Sequence, residues 1–419
     1  MAMIGRASVW RGLVRTGLVL VAGALPAAAQ DEVQPRLTFN VTERLESTEN
    51  LGLDPDSLGR TDQSLTSMSL RWHSATPTSE LIFDLGGLVR IDDGPEADDT
   101  VNGLTDPRLF FSYSREAATA ALSVTGRYRR IPITSLLPDP DDPLGVEDER
   151  GTGLREDAEL GARIDWGIGT PVGFGLEANL RDVDYSDDDG ANDPYRRETV
   201  SARLRHAFDH ATEGRVTLRY SHYKAEDEDA RETPGLDVEL DRQRPDGLWT
   251  GVLGFDDPPE GLRTRLEFGR DRDLPAGRIG FRIGATHSEA ADKTMLTGRF
   301  DWRRDMPLGR VDFGLNRSVR SGEDDEETLL TGLRAGLSRE IGPLSALSLN
   351  LSYVVSEEQG GDDETTRDGT LSAAYRRTLA QTWDLSLGYR HRMRDEEGED
   401  TARSDSVFLT LERSFVLLP

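Results

Sequence analysis

Six histidines, His73, His206, His210, His222, His287 and His391, are the imidazoles available for acid–base work, and none stands in a catalytic frame. Ser221-His222-Tyr223 sets a hydroxyl next to an imidazole but lacks a flanking asparagine and glycine at a useful spacing. His206 and His210 would share a face on a helix, whereas in a strand or turn they form no ligand pair. There is no G-x-S-x-G, no phosphate-binding glycine loop and no H-E-x-x-H. The chain has no cysteine, which excludes disulfides, thiolate–metal sites and a lipid-anchored amino terminus. The expectation is a protein that is not an enzyme and has neither cofactor nor resident metal. What remains able to act is charge: arginines and acids placed at every second residue.

These charges are Arg127 and Arg129, Arg163, Arg203 and Arg205, Arg263 and Arg265, and Arg278 and Arg282, with Glu159, Asp165 and Asp301. Arg219, Arg299, Arg334, Asp237, Glu239, Glu267 and Asp384 follow the same pattern. Each alternates with apolar neighbours. Leu160, Ala162, Ile164 and Trp166 interleave with Glu159, Gly161, Arg163 and Asp165, for example, and Leu347, Leu349, Leu351 and Tyr353 interleave with serines and Asn350. A period of two sorts side chains onto opposite faces of a strand. One face is apolar and the other wet and charged.

About 20 such segments of roughly 8–11 residues run from Arg36 to Phe415, with about 18 as the alternative count. The weakest is Leu236, Val238 and Leu240, kept because a single-chain barrel has an even number of strands. Links alternate in kind. Short ones fall at Ala75–Thr78, Glu116–Ala117, Gly169–Val172, His210–Gly214, Arg304–Leu308 and Leu379–Gln381. Longer acidic ones fall at Asp92–Asp99, Ile131–Glu156, Ser186–Pro194, Ala225–Pro234, Ser321–Glu327, Glu357–Asp368 and Arg394–Asp400, with Asp256–Gly261 a short exception. The pattern predicts an all-β fold: a closed antiparallel transmembrane β-barrel with short periplasmic turns and long acidic extracellular loops. Trp72, Phe111, Tyr113, Tyr128, Trp166, Phe174, Tyr220, Trp249, Phe268, Trp302, Tyr353, Tyr375, Trp383 and Tyr389 lie on apolar faces, as interfacial girdles require. The link at Ile131–Glu156 is expected either to fold into the lumen as a constriction or to be mobile.

Arg6, Arg11 and Arg15, a short apolar core from Gly17 to Leu25 and Pro26-Ala27-Ala28-Ala29 predict a signal peptide over residues 1–29, leaving 30–419 as one barrel domain. Removing it takes away three arginines and no acid, so the formal charge moves from −27 to −30. So acidic a chain is a poor partner for nucleic acid. The acidic groups Asp187–Asp189 and Glu323–Glu327 are expected to be solvated, with weak divalent-cation binding as the alternative. A plugged transporter would need a separate domain of roughly a hundred residues ahead of its barrel, yet alternation starts within about ten residues of the expected cleavage point.

The opening RLTFNVTERLESTENLGLDPDS and TSMSLRWHSATPTSELIFDLGG resemble the first hairpins of the beta-barrel porin 2 group of Gram-negative outer-membrane proteins. SVFLTLERSF resembles the terminal strand read by the barrel-assembly machinery, with Phe415 as its aromatic; Arg413 and the trailing VLLP depart from that pattern. The resemblance implies an outer-membrane location, with outer-membrane lipids, lipopolysaccharide and the assembly machinery as partners. It also implies a porin-like channel for passive diffusion of small hydrophilic solutes. The alternative is a non-conducting surface barrel or a partner in envelope polysaccharide export.

Overall fold

The computed structural model describes residues 35–95, 103–133, 153–186, 192–225, 229–321, 327–359 and 365–418. The expected signal peptide, Asp187–Asp189, residues 323–326 and most of the link at 131–156 lie outside these. The described chain is a succession of strands. The first ten are β1 (Arg36–Glu49), β2 (Arg60–Thr76), β3 (Ser79–Asp93), β4 (Gly103–Glu116), β5 (Ala120–Pro132), β6 (Leu154–Trp166), β7 (Val172–Ser186), β8 (Tyr195–Ala207), β9 (Thr212–Ala225) and β10 (Arg231–Arg244). The second ten are β11 (Gly247–Asp256), β12 (Arg263–Leu274), β13 (Gly277–Ser288), β14 (Lys293–Met306), β15 (Gly309–Ser321), β16 (Glu327–Gly342), β17 (Ser345–Gln359), β18 (Thr365–Ala380), β19 (Trp383–Glu396) and β20 (Ala402–Leu418).

Each strand pairs antiparallel with the next, and β1 pairs with β20 from Leu37 opposite Leu418 to Glu49 opposite Asp405. The sheet is therefore a closed 20-stranded barrel. Closure satisfies every strand edge, which an open sheet of this size could not do. The segment around Leu236 is a full strand and supplies the even count. Strands run from 10 to 17 residues, mostly longer than the alternation suggested. Backbone ladders need no apolar side chains, so pairing continues past the greasy stretch into polar residues such as Asp62 opposite Asp93.

Register keeps the apolar set together around the wall: Leu45 faces Leu409, which faces Leu387, and Phe83 faces Phe111. Little-exposed positions such as Thr61, Arg155, Val183, Ser288, Val354 and Ser404 belong to the other set. Side chains crowd on a concave surface, so the polar set faces inward and the apolar set outward. All fourteen aromatics named above share that outward face.

The links at one end are two to five residues long, whereas those at the other run from four to twenty-one. Three tight turns share the order Pro-x-Gly: Pro245-Asp246-Gly247, Pro275-Ala276-Gly277 and Pro307-Leu308-Gly309. Proline presets the turn's first dihedral. Gly277 has φ 143°, and a Cβ there would collide with the Arg303 carbonyl oxygen. In the turn after β8, the Asp209 carboxylate accepts the Ala211 N–H at 2.7 Å, which holds its pKa below the usual carboxylate value.

Candidate functional site

The inward wall gathers the charges singled out from the sequence. Register places Arg127 and Arg129 on the inward face of β5, and Glu159, Arg163 and Asp165 on that of β6. Arg203 and Arg205 follow on β8, Arg263 and Arg265 on β12, Arg278 and Arg282 on β13 and Asp301 on β14. They form no single cluster. Neighbouring strands join most of them in pairs instead.

Arg163 lies 2.7 Å from Asp165 and 3.7 Å from Glu177, and Arg127 lies 3.8 Å from Glu159. Arg129 approaches Asp157 at 3.9 Å, and Arg205 meets Glu213 at 3.0 Å while also donating to the Gly167 and Thr170 carbonyls. Arg278 pairs with Asp271 at 3.0 Å and Arg282 with Glu267 at 3.6 Å. Arg263 reaches Glu327 on β16 at 3.6 Å. The part-exposed pairs among these contribute about 0.2–1 kcal/mol each, whereas Arg263–Glu327 is nearly buried. Their main effect is to fix where the side chains lie.

A recurring triplet shows how. Arg219 of β9, Gly235 of β10 and Asp256 of β11 are in register, and the guanidinium crosses the glycine to reach the carboxylate at 2.5 Å. Arg265, Gly254 and Asp237 repeat this in the opposite sense at 2.7 Å, and Arg334, Gly314 and Asp301 repeat it at 2.8 Å. A Cβ at Gly314 would stand 2.6 Å from Arg334 Nε, so only glycine lets the arginine lie flat. Arg203, Gly175 and Asp165 share that register, but Asp165 is engaged by Arg163. Among the described residues Arg203 has no carboxylate within ion-pair distance.

Exposure of this wall changes along the axis. Side chains of Arg278 and Arg127 are 63 % and 59 % exposed, whereas Arg155 and Arg90, towards the long-link end, are 0 % and 4 % exposed. Part of the cover is the β1–β2 link. Arg392, inward on β19, donates to the Leu51 carbonyl at 2.7 Å, and Asn50 Nδ2 donates to the Arg403 carbonyl at 2.9 Å. Leu51 is buried there.

Sequence reasoning passed over the glycines of the triplets, whose signal was their place on the charged face. It also passed over Phe408, an inward phenylalanine lying against Gly388, with the Arg44 guanidinium 3.9 Å above its ring and Arg390 at 5.9 Å. Phe415 faces outward, 6.2 Å from Phe39, with Arg413 stacked 4.3 Å over its ring. Arg413 thus stands among aromatics at an apolar position. Ser221 and His222 are successive residues of β9 and point to opposite sides of the wall, so they make no nucleophile–base pair. Among the described residues no three metal-ligating side chains converge.

No family model matches the chain, and no curated protein matches it. Solved structures share its architecture. The siderophore receptor PirA from Pseudomonas aeruginosa aligns with a TM-score of 0.49 and 10 % identity over 91 % of this chain and 80 % of its own. OccAB4 of Acinetobacter baumannii gives 0.45 and 12 % over 92 % and 99 %, and a BenF-like porin from Pseudomonas fluorescens Pf-5 gives 0.45 and 13 % over the same shares. The likeness is one of fold alone.

Proposed function

We propose that the chain is exported, inserts into the outer membrane of a Gram-negative cell and forms a porin-like channel through which small hydrophilic solutes diffuse passively. The direction of the inward ion pairs carries this proposal. Apart from Arg263–Glu327, which spans β12 to β16 at the long-link end, those named above run along the wall within a strand or to a strand one or two away. Three of them lie over glycines, and among the described residues they do not cross the axis. Twenty strands spaced about 4.8 Å apart and tilted about 40° enclose a cylinder roughly 40 Å across between backbones. Such a space holds water, and charged linings in water steer ions and anionic or zwitterionic solutes.

The outward apolar face meets acyl chains and lipopolysaccharide, with aromatic side chains at the interfaces. The leader over residues 1–29 directs export, and Phe415 marks the terminal strand for the assembly machinery. Deleting Phe415–Pro419 should abolish heat-modifiable barrel in the membrane while leaving export intact; normal barrel in the truncated protein refutes the assembly role. The acidic links attract divalent cations weakly.

Burial of Arg155, Arg90 and their neighbours favours a second reading, a barrel closed at its long-link end that does not conduct, serving the surface or polysaccharide export. Purified protein in a planar bilayer separates the two. Discrete single-channel steps are expected, and persistent silence from a correctly folded barrel rules out the channel.

A further inference from the structure

Around most of the wall the outward face is apolar between its two aromatic levels. One place departs from this. Glu43 of β1 faces outward, four residues from Phe39 at one level and four from Ser47, which is in register through Val407 with Tyr389 at the other. At about 3.3 Å per residue and about 40° of tilt it stands roughly 10 Å from each level, at mid-depth. Its carboxyl accepts the hydroxyls of Ser64 at 2.9 Å and Thr66 at 2.5 Å, both outward on β2. The other charged residues on the outward face of the described strands lie at or beyond an aromatic level. Arg413, for one, is in register with Trp383. From Leu45 towards the long-link end the face is dished into a groove of about 780 Å³, lined by Leu45, Ile91, Val407 and Leu409 and, farther out, by Glu49, Asp62, Asp93 and Asp405.

We infer that this face of β20, β1 and β2 is an interface between two copies of the chain within the membrane. The inference rests on the barrel spanning the membrane as proposed above, and not on its conducting. An ionisable group facing hydrocarbon at mid-depth is costly and calls for a partner. A second copy inserted in the same direction carries the same patch at the same depth, so an axis along the barrel direction brings like patches together. The patch complements itself. Ser64 and Thr66 donate their hydroxyl hydrogens to the carboxyl of their own copy. The acceptor sites that it keeps open, of about four in a carboxylate, face its mate, so that one proton held between the two carboxyls joins them. Polar side chains and small residues are the means by which membrane segments associate, since apolar contact alone gives no advantage over lipid. Ser47 and Ser64 supply the small side chains that allow close approach.

Because the chain lacks cysteine, single reporters are clean. In membranes, Leu45→Cys should form an oxidative dimer, whereas Leu253→Cys, outward on the opposite wall, should not. Adding Glu43→Leu to Leu45→Cys should lower the dimer at least fivefold, while Glu43→Gln, which keeps the hydrogen bonding, should retain it. All variants are scored on heat-modifiable barrel, so misfolded chains are not counted. Crosslinking at Leu45 no greater than at Leu253, or a dimer indifferent to Glu43→Leu, overturns the interface. Current through the barrel does not enter the measurement, so a silent channel leaves this result standing.

Discussion

Arg203 stands where an arginine–glycine–aspartate bridge would form, opposite Gly175 and in line with Asp165, yet Arg163 already occupies that carboxylate. An arginine left without a carboxylate offers its charge to the solution, whereas Arg219, Arg265 and Arg334 spend theirs on the wall. A charge about 8 Å from a passing ion in water is worth about 0.5 kcal/mol, so one such residue changes relative permeability roughly twofold. Arg203→Ala should therefore shift the reversal potential in a salt gradient towards cation preference by that factor, while Arg219→Ala combined with Asp256→Ala, which removes both members of a pair and leaves the net charge unchanged, should shift it less. Equal shifts in the two variants would remove the distinction. The arginines were legible as an inward set from alternation alone. Which of them are paired was not, because the partner sits on the next strand or the one beyond.

Strand order was legible because each element carries its own signal, a period of two bounded by polar links. Strand ends were less so, since ladders run on through residues such as Arg60, Asp62 and Asp93 that read as loop. The Pro-x-Gly turns were present in the sequence and mark one end of the barrel. Gly277 shows why glycine is required: its φ of 143° and the Arg303 carbonyl leave no room for a side chain. Gly277→Val should cost about 1–3 kcal/mol, the usual range for strain in such a backbone region. The cost should appear as a lower temperature for loss of heat-modifiable barrel, with Gly251→Val, where the added atom meets open space, as the reference. An unchanged midpoint at Gly277 would mean that the turn relaxes at no cost.

At the scale of the whole molecule, closure creates an inside, and the β1–β2 link enters it. Asn50 and Arg392 fasten that link across the join between the first and last strands, over positions such as Ser404 that are almost fully buried. Loosening it with Asn50→Ala and Arg392→Ala should raise single-channel conductance or add open-state noise, and identical current traces would show that the link does not bound the path. No local pattern foretold that contact, which joins residues 341 apart in the chain. Alternation and link lengths determined the class of fold, the two faces and the identity of the inward charges, because each is written in residues close together along the chain. Pairing among those charges, the glycines that let them lie flat, the covered long-link end and the isolated carboxyl of Glu43 were decided only when the strands took their register, since all four depend on residues brought together from different strands.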